Sequence, residues 1–183
     1  MGEGSNRGIL LAAATRLFRQ RGYDGVGLAE ILKASGLPKG SLYYHFPGGK
    51  RELAEAATLT AGAMVQEIVE RVFADATNFS SGAASLCRAI AELIAQQDQV
   101  LACPVASILQ AGTHEVHLRE VGRRVLASWT VCLTGHAERL GQSAAGTAAE
   151  ILVMQLEGAW MLSLAEQNGA PLERLAGWLE GSG

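Results

Sequence analysis

The sequence predicts an all-α protein of about nine helices. Apolar residues recur at i, i+3, i+4 spacing in almost every segment, and no run of β-branched residues alternates with period two. Glycine and proline fall mostly between those segments, where helices should stop.

In the first segment Ile9, Leu10, Ala13, Ala14, Leu17 and Phe18 form one apolar stripe, with Arg16, Arg19 and Arg21 mostly outside it. Gly22 stands where a C-terminal cap belongs. A second helix is expected over about Val26–Ala34, with Leu28, Ile31 and Leu32 on one face and Gly36 ending it. Leu37-Pro38 turn the chain into a third, short helix, Pro38 to His45, closed by Pro47-Gly48-Gly49. A long helix follows from Lys50 to about Ala74, with Asn78-Phe79-Ser80-Ser81-Gly82 as the breaker. Further helices are expected over 83–97, 104–112, 115–140 and 146–168, then a last one from Pro171 to Glu180.

At 49% hydrophobic residues the chain has ample apolar surface for a core. Cys87, Cys103 and Cys132 are odd in number and widely spaced, which fits neither a disulfide framework nor a CxxC metal knuckle. The opening MGEGSNRG reads as neither a signal peptide nor a myristoylation site. Glu150, Glu157 and Glu166 interrupt the apolar stretch near the C-terminus, so no membrane span is expected and the cytoplasm is the default location. The net charge of −3 is unevenly spread. Residues 1–55 hold eight basic and five acidic side chains, net +3, and the remainder is net −6. A basic front end on an acidic body suits contact with a polyanion.

The stretch GLPKGSLYYHF, Gly36 to Phe46, concentrates this signal. Leu42 and Phe46 are four apart and share one face of a short helix. Lys39, Tyr43, Tyr44 and His45 cannot all join that face, so several must project outward. Outward hydroxyls and a lysine suit phosphate oxygens, while aromatic rings pack on sugar or a thymine methyl. Three short helices with tight turns, followed by a long one, resemble a helix-turn-helix unit. Leu17, Phe18, Leu28, Ile31, Leu37, Leu42 and Phe46 are its expected core.

Gly8 to Ala57 resembles the DNA-binding domain of TetR-family transcriptional regulators. The matching features are Leu17-Phe18, Gly22-Tyr23, Ile31, Gly36, the run Lys39 to Phe46, and Lys50 opening the fourth helix. The resemblance implies that Lys39, Ser41, Tyr43, Tyr44 and His45 face DNA, that Gly40 allows close backbone approach, and that Lys50 clamps a phosphate. It divides the chain into a DNA-binding domain, residues 1–49, and a helical ligand-binding and dimerisation domain, residues 50–183. Three positions depart from the family pattern. Gly27 and Pro38 replace hydroxyl-bearing caps, and Phe46-Pro47-Gly48-Gly49-Lys50 is one residue longer than the common spacing. That loop and Ala102-Cys103-Pro104-Val105 are similar to the LmrA/YxaF-type subgroup, whose members repress drug-efflux or flavonoid-responsive genes.

The function implied is a homodimeric repressor of efflux or catabolic genes. It binds a palindromic double-stranded operator and is released by a small apolar or aromatic effector. Small residues on helix 146–168 (Ala148, Ala149, Gly158, Ala159) suit close packing between subunits. Met64, Cys87, Cys103, His114, Trp129, His136 and Trp160 are the candidate pocket residues, with His117 a further polar anchor. Cys132/His136 at i, i+4 and His114/His117 at i, i+3 have metal-ligand spacing, but no HExxH signature accompanies them and no metal or other cofactor is expected. Cys103 has no oxyanion-type motif around it, and Lys39 precedes the second glycine of Gly36–Ser41 where a phosphate loop needs the reverse, so no enzyme is expected. The rival reading is a helical small-molecule or metal sensor whose DNA binding is weak or lost through Gly27 and Pro38.

Overall fold

Nine α-helices and one 3-10 turn, without a strand, make up the described residues: α1 Asn6–Arg21, α2 Leu28–Ser35, α3 Lys39–His45, α4 Gly49–Ala74, α5 Phe79–Ala95, α6 Pro104–Leu109, α7 Val116–Arg139, α8 Ala145–Glu166 and α9 Ala170–Gly181. The computed structural model describes residues 5–181, leaving out the side chains of residues 112 and 113. The first four residues, on which the reading of the opening segment partly rests, lie outside that range.

The caps follow from sequence chemistry. Ser5 accepts the Gly8 amide at the head of α1. Gly22 (φ 69°) and Gly36 (φ 67°) end α1 and α2 in the conformation that side chains disfavour. Two boundaries differ from expectation. α5 starts at Phe79 rather than 83, because Asn78 caps it: its side chain accepts the Ser81 amide at 2.8 Å, and Ser81 Oγ answers on the Asn78 backbone. Ser80-Ser81-Gly82 therefore form a first helical turn rather than a loop. The expected helix 104–112 is α6 followed by a 3-10 turn, Gln110–Thr113.

The chain packs as two units. The first comprises the described residues up to Gly62 together with Pro104–Val125, and the second Ala63–Cys103 together with the residues from Leu126 onward. Packing therefore divides the chain inside α4 and α7 rather than at Gly49. The reason is that Leu53, Ala54 and Ala57 of α4, with Ile108 and Leu118, complete the core of Leu10, Leu17, Phe18, Ile31, Leu42 and Phe46. Gly62 lets α4 pass close to α7, since a Cβ there would meet Val125 Cγ1.

In the second unit Phe73, Leu86, Ile90, Trp129, Leu133, Leu152 and Leu156 are buried. A Cβ at Gly82 would meet the Phe73 ring, so only glycine permits that approach of α5 to α4. Arg88 on α5 makes a paired hydrogen bond to the Glu180 carboxylate of α9, both at 2.7 Å. α8 is long and apolar enough to cross a membrane by length and composition alone. It nevertheless packs on α9 and buries Leu152, Leu156, Ala159 and Trp160 inside its unit.

Candidate nucleic-acid interface

The geometry of α3 sorts its side chains into rows four residues apart. Leu42 and Phe46, 0% and 1% exposed, form the inner row. Lys39/Tyr43 and Gly40/Tyr44 form the outer rows: Tyr44 is 81% and Tyr43 42% exposed, and nothing lies within 4 Å of where a Gly40 Cβ would stand. Lys39 Nζ sits 5.7 Å from the Tyr43 ring centroid, and the His45 ring meets Tyr44 edge-on at 4.9 Å. The outer face thus presents one cation, two phenol hydroxyls and an unobstructed glycine.

Ser41 and His45 occupy the flanking row, half-buried. Ser41, expected to face outward, instead keeps its Oγ buried and without a hydrogen-bond partner among the described residues. Its amide donates to the Pro38 carbonyl at 3.0 Å. Pro38 supplies no side-chain cap, as its chemistry requires. Behind Tyr43 an open cleft of about 270 Å³ is lined by Leu28, Ala29, Leu32, Lys39 and Leu42.

Lys50 is half-buried rather than extended outward. Its ammonium lies 4.0 Å from the Tyr23 ring centroid, and burial holds it below the usual lysine range, against the opposing pull of Asp24 and Glu115. Tyr23 is buried beneath it, and burial pushes its phenol up, helped by Glu115 and Asp24. Arg7, which the sequence reading did not assign, places its guanidinium 5.3 Å over the Phe46 ring.

The missing hydroxyl at Gly27 is compensated. Glu30 Oε2 accepts the Gly27 amide at 2.8 Å, and Glu30 Oε1 pairs with Arg21 at 2.8 Å. This is half of a capping box, and Gly-x-x-Glu could have disclosed it. The Gly27 amide, followed by Arg21, holds the Glu30 carboxyl below its ordinary range. A carboxyl with a depressed folded pKa contributes stability above its unfolded pKa and loses it as pH falls through the folded value. Glu30→Ala should therefore lower the thermal midpoint at neutral pH, and the gap from the parent should close in acid. An equal gap at both pH values would exclude this capping role.

The candidate pocket residues belong to the second unit, His114 excepted. Met64 is 61% exposed on α4. His114 lies in the first unit, paired with Asp24 at 3.2 Å, and His117 pairs with Glu55 at 2.7 Å. His136 faces Glu70. Cys87 and Trp129 are fully buried in the second unit. Cys103 and Trp160 are linked through neighbouring positions of α8 and of the segment before α6. The Cys103 thiol contacts Glu157 at 3.0 Å, and one turn along α8 the Trp160 indole donates to the Leu101 carbonyl. Glu157, which the sequence reading used only as an interruption, has its carboxyl pushed up by burial, partly opposed by that thiol.

Comparison with known proteins agrees with this geometry. Residues 10–57 match the profile described as "Bacterial regulatory proteins, tetR family". Residues 80–177 match "Transcriptional regulator LmrA/YxaF-like, C-terminal domain". The HTH-type transcriptional regulator LmrA of Bacillus subtilis is 31% identical over 94% of this chain and 93% of its own. The fold is similar to a regulatory protein TetR from Rhodobacter sphaeroides, with TM-score 0.83 and 24% identity over 93% of this chain and 95% of that one. It is also similar to CifR in a cysteine mutant complexed with 26-bp double-strand operator DNA, with TM-score 0.81 and 18% identity over 93% and 92% of the two chains.

Proposed function

The chain belongs to the TetR family of bacterial transcriptional regulators, in its LmrA/YxaF-like group, and from that premise we propose that it is a homodimeric, ligand-released repressor. It is a regulator with a DNA-binding domain, not an enzyme. The observation that carries the finer reading is the outer face of α3. In our reading Lys39, Tyr43 and Tyr44 contact DNA directly, Gly40 admits the backbone, Ser41 and His45 flank the contact, and Lys50 serves the phosphate backbone from the head of α4. Functionally this keeps residues 1–49 as the DNA-binding part and 50–183 as the receiving part. Glu30 restores the α2 cap, while the phosphate-binding hydroxyl of the family pattern stays absent at Gly27.

A second copy fits the open face of α8 and α9. Ile151, Met154, Met161, Leu162 and Trp178 are exposed there, and Gly158 lies among them with nothing within 4 Å of its would-be Cβ. Apolar side chains around a small residue suit close helix packing between subunits. A twofold pair would place two α3 helices about 34 Å apart on successive major grooves of a palindromic operator. The cytoplasm, where bacterial DNA lies, is the corresponding location.

For the effector we infer an apolar or aromatic small molecule received in the second unit near Cys103, Trp160 and half-buried Glu157. α4 contributes to both units, so a ligand that shifts its second half would reorient its first. Ligand and operator would then weaken each other's binding by the same factor. Efflux or catabolic genes are the targets this chemistry suggests.

A gel-shift titration of the DNA upstream of the gene, across a salt series, tests the reading. Affinity should fall linearly in log–log form as salt rises. No complex at low salt, or salt-independent affinity, would overturn it.

A further inference from the structure

We propose that Glu70, Cys132 and His136 form a three-ligand site for a borderline divalent cation of the Zn²⁺ type. It is independent of the DNA reading.

Cys132 and His136 share one face of α7, and the fold brings to them a carboxylate from α4, more than sixty residues away in sequence. One potential ligand atom from each residue lies within 4.8 Å of the other two. Cys132 Sγ is 3.2 Å from Glu70 Oε1, and His136 Nε2 is 3.0 Å from Glu70 Oε2. Metal bonds of about 2.0–2.3 Å in tetrahedral geometry place ligand atoms roughly 3.3–3.6 Å apart. The two contacts, each to a different Glu70 oxygen, are slightly shorter than that, and all three donors lie within 4.8 Å, so small side-chain shifts would bring them to a shared ion. A thiolate, an imidazole and a carboxylate together suit Zn²⁺ and its neighbours better than Mg²⁺ or Ca²⁺, which prefer oxygen.

The surroundings fix the imidazole. Its ring stacks on fully buried Phe73 at 5.0 Å and 26°, which aims Nε2 at Glu70. Arg139 Nη2 approaches Nδ1 at 3.4 Å but makes its shorter bond, 2.7 Å, to the Phe73 carbonyl. When Nε2 takes the metal, Nδ1 carries the ring proton; Arg139 loses the weak contact and keeps the strong one. Binding replaces the thiol proton by the metal–sulfur bond and releases it to solvent. Thiolate and carboxylate together neutralise the dication. Glu70 is exposed, so water can reach the fourth position, which three protein ligands leave open.

The test uses the full chain, freed of metal by a chelator and titrated with Co²⁺ near neutral pH. One equivalent should produce a thiolate-to-cobalt charge-transfer band with strong tetrahedral d–d bands, and excess Zn²⁺ should remove both. Cys132→Ser should abolish the charge-transfer band. Glu70→Gln and His136→Ala should weaken binding at least tenfold, with unchanged far-ultraviolet dichroism showing that each variant folds. Absence of the band in the parent would overturn the proposal. So would an undiminished band in Cys132→Ser, which would assign it to Cys87 or Cys103, or an unaltered affinity in Glu70→Gln.

Discussion

Phe46→Ala is expected to destabilise the protein by about 3–5 kcal/mol, the usual cost of truncating a buried aromatic. Phe46 is 1% exposed and closes the core that α1, α2 and α3 share with the first half of α4. Its amide caps α3 on the Leu42 carbonyl at 2.8 Å, and Pro47 follows immediately. The chain is thus held on both sides of the ring and has little freedom to collapse into the cavity. Arg7 also loses the ring beneath its guanidinium. At roughly 2–4 °C per kcal/mol for a chain of this size, the thermal midpoint should fall by about 6–20 °C. DNA binding should fail over the same temperature range, since Leu42 and Phe46 are the buried residues that seat α3 on the core. Phe46→Leu, which keeps most of the volume, should cost less than about 1.5 kcal/mol. A loss below 1 kcal/mol for the alanine variant would mean that the ring does not fill this core.

The recognition helix was legible because its determinants are local. Four-residue spacing alone separates Leu42 and Phe46 from Tyr43 and Tyr44, and the structure keeps that separation. The same spacing could have placed Ser41 beside His45 on the flanking row, but the motif as a whole drew it outward. The half-buried setting of Lys50 was hidden for a different reason. Its partner Tyr23 lies on another turn of the chain, and a cation above an aromatic face leaves no periodic trace. The start of α5 was hidden because Asn, Ser and Gly favour loops and first helical turns alike. In the second unit the pairings that define possible sites are distant in sequence: Cys103 with Glu157, Glu70 with His136, Arg88 with Glu180. Spacing along one helix identified Cys132 and His136 as a pair, and only the fold could supply Glu70.

The second large effect separates affinity from stability on the outer face of α3. Tyr43→Ala and Tyr44→Ala should each weaken operator binding by about 1–3 kcal/mol per subunit, roughly fivefold to 150-fold. Their stability should change by no more than about 0.5 kcal/mol, because neither ring belongs to the core. Tyr44, the more exposed ring, should show the smaller stability change; Tyr43 backs onto Leu28, Leu32 and Leu42 across the cleft. Lys39→Ala should behave differently. A phosphate contact carries no sequence information, so operator and unrelated DNA should weaken alike, and the log–log salt slope should become shallower by about 0.9 per subunit. Paired measurements on operator and scrambled duplex therefore assign the roles. If Tyr43→Ala weakens both duplexes equally, the ring touches only the backbone. If it lowers the thermal midpoint as Phe46→Ala does, the tyrosine belongs to the core and α3 must present some other face to DNA.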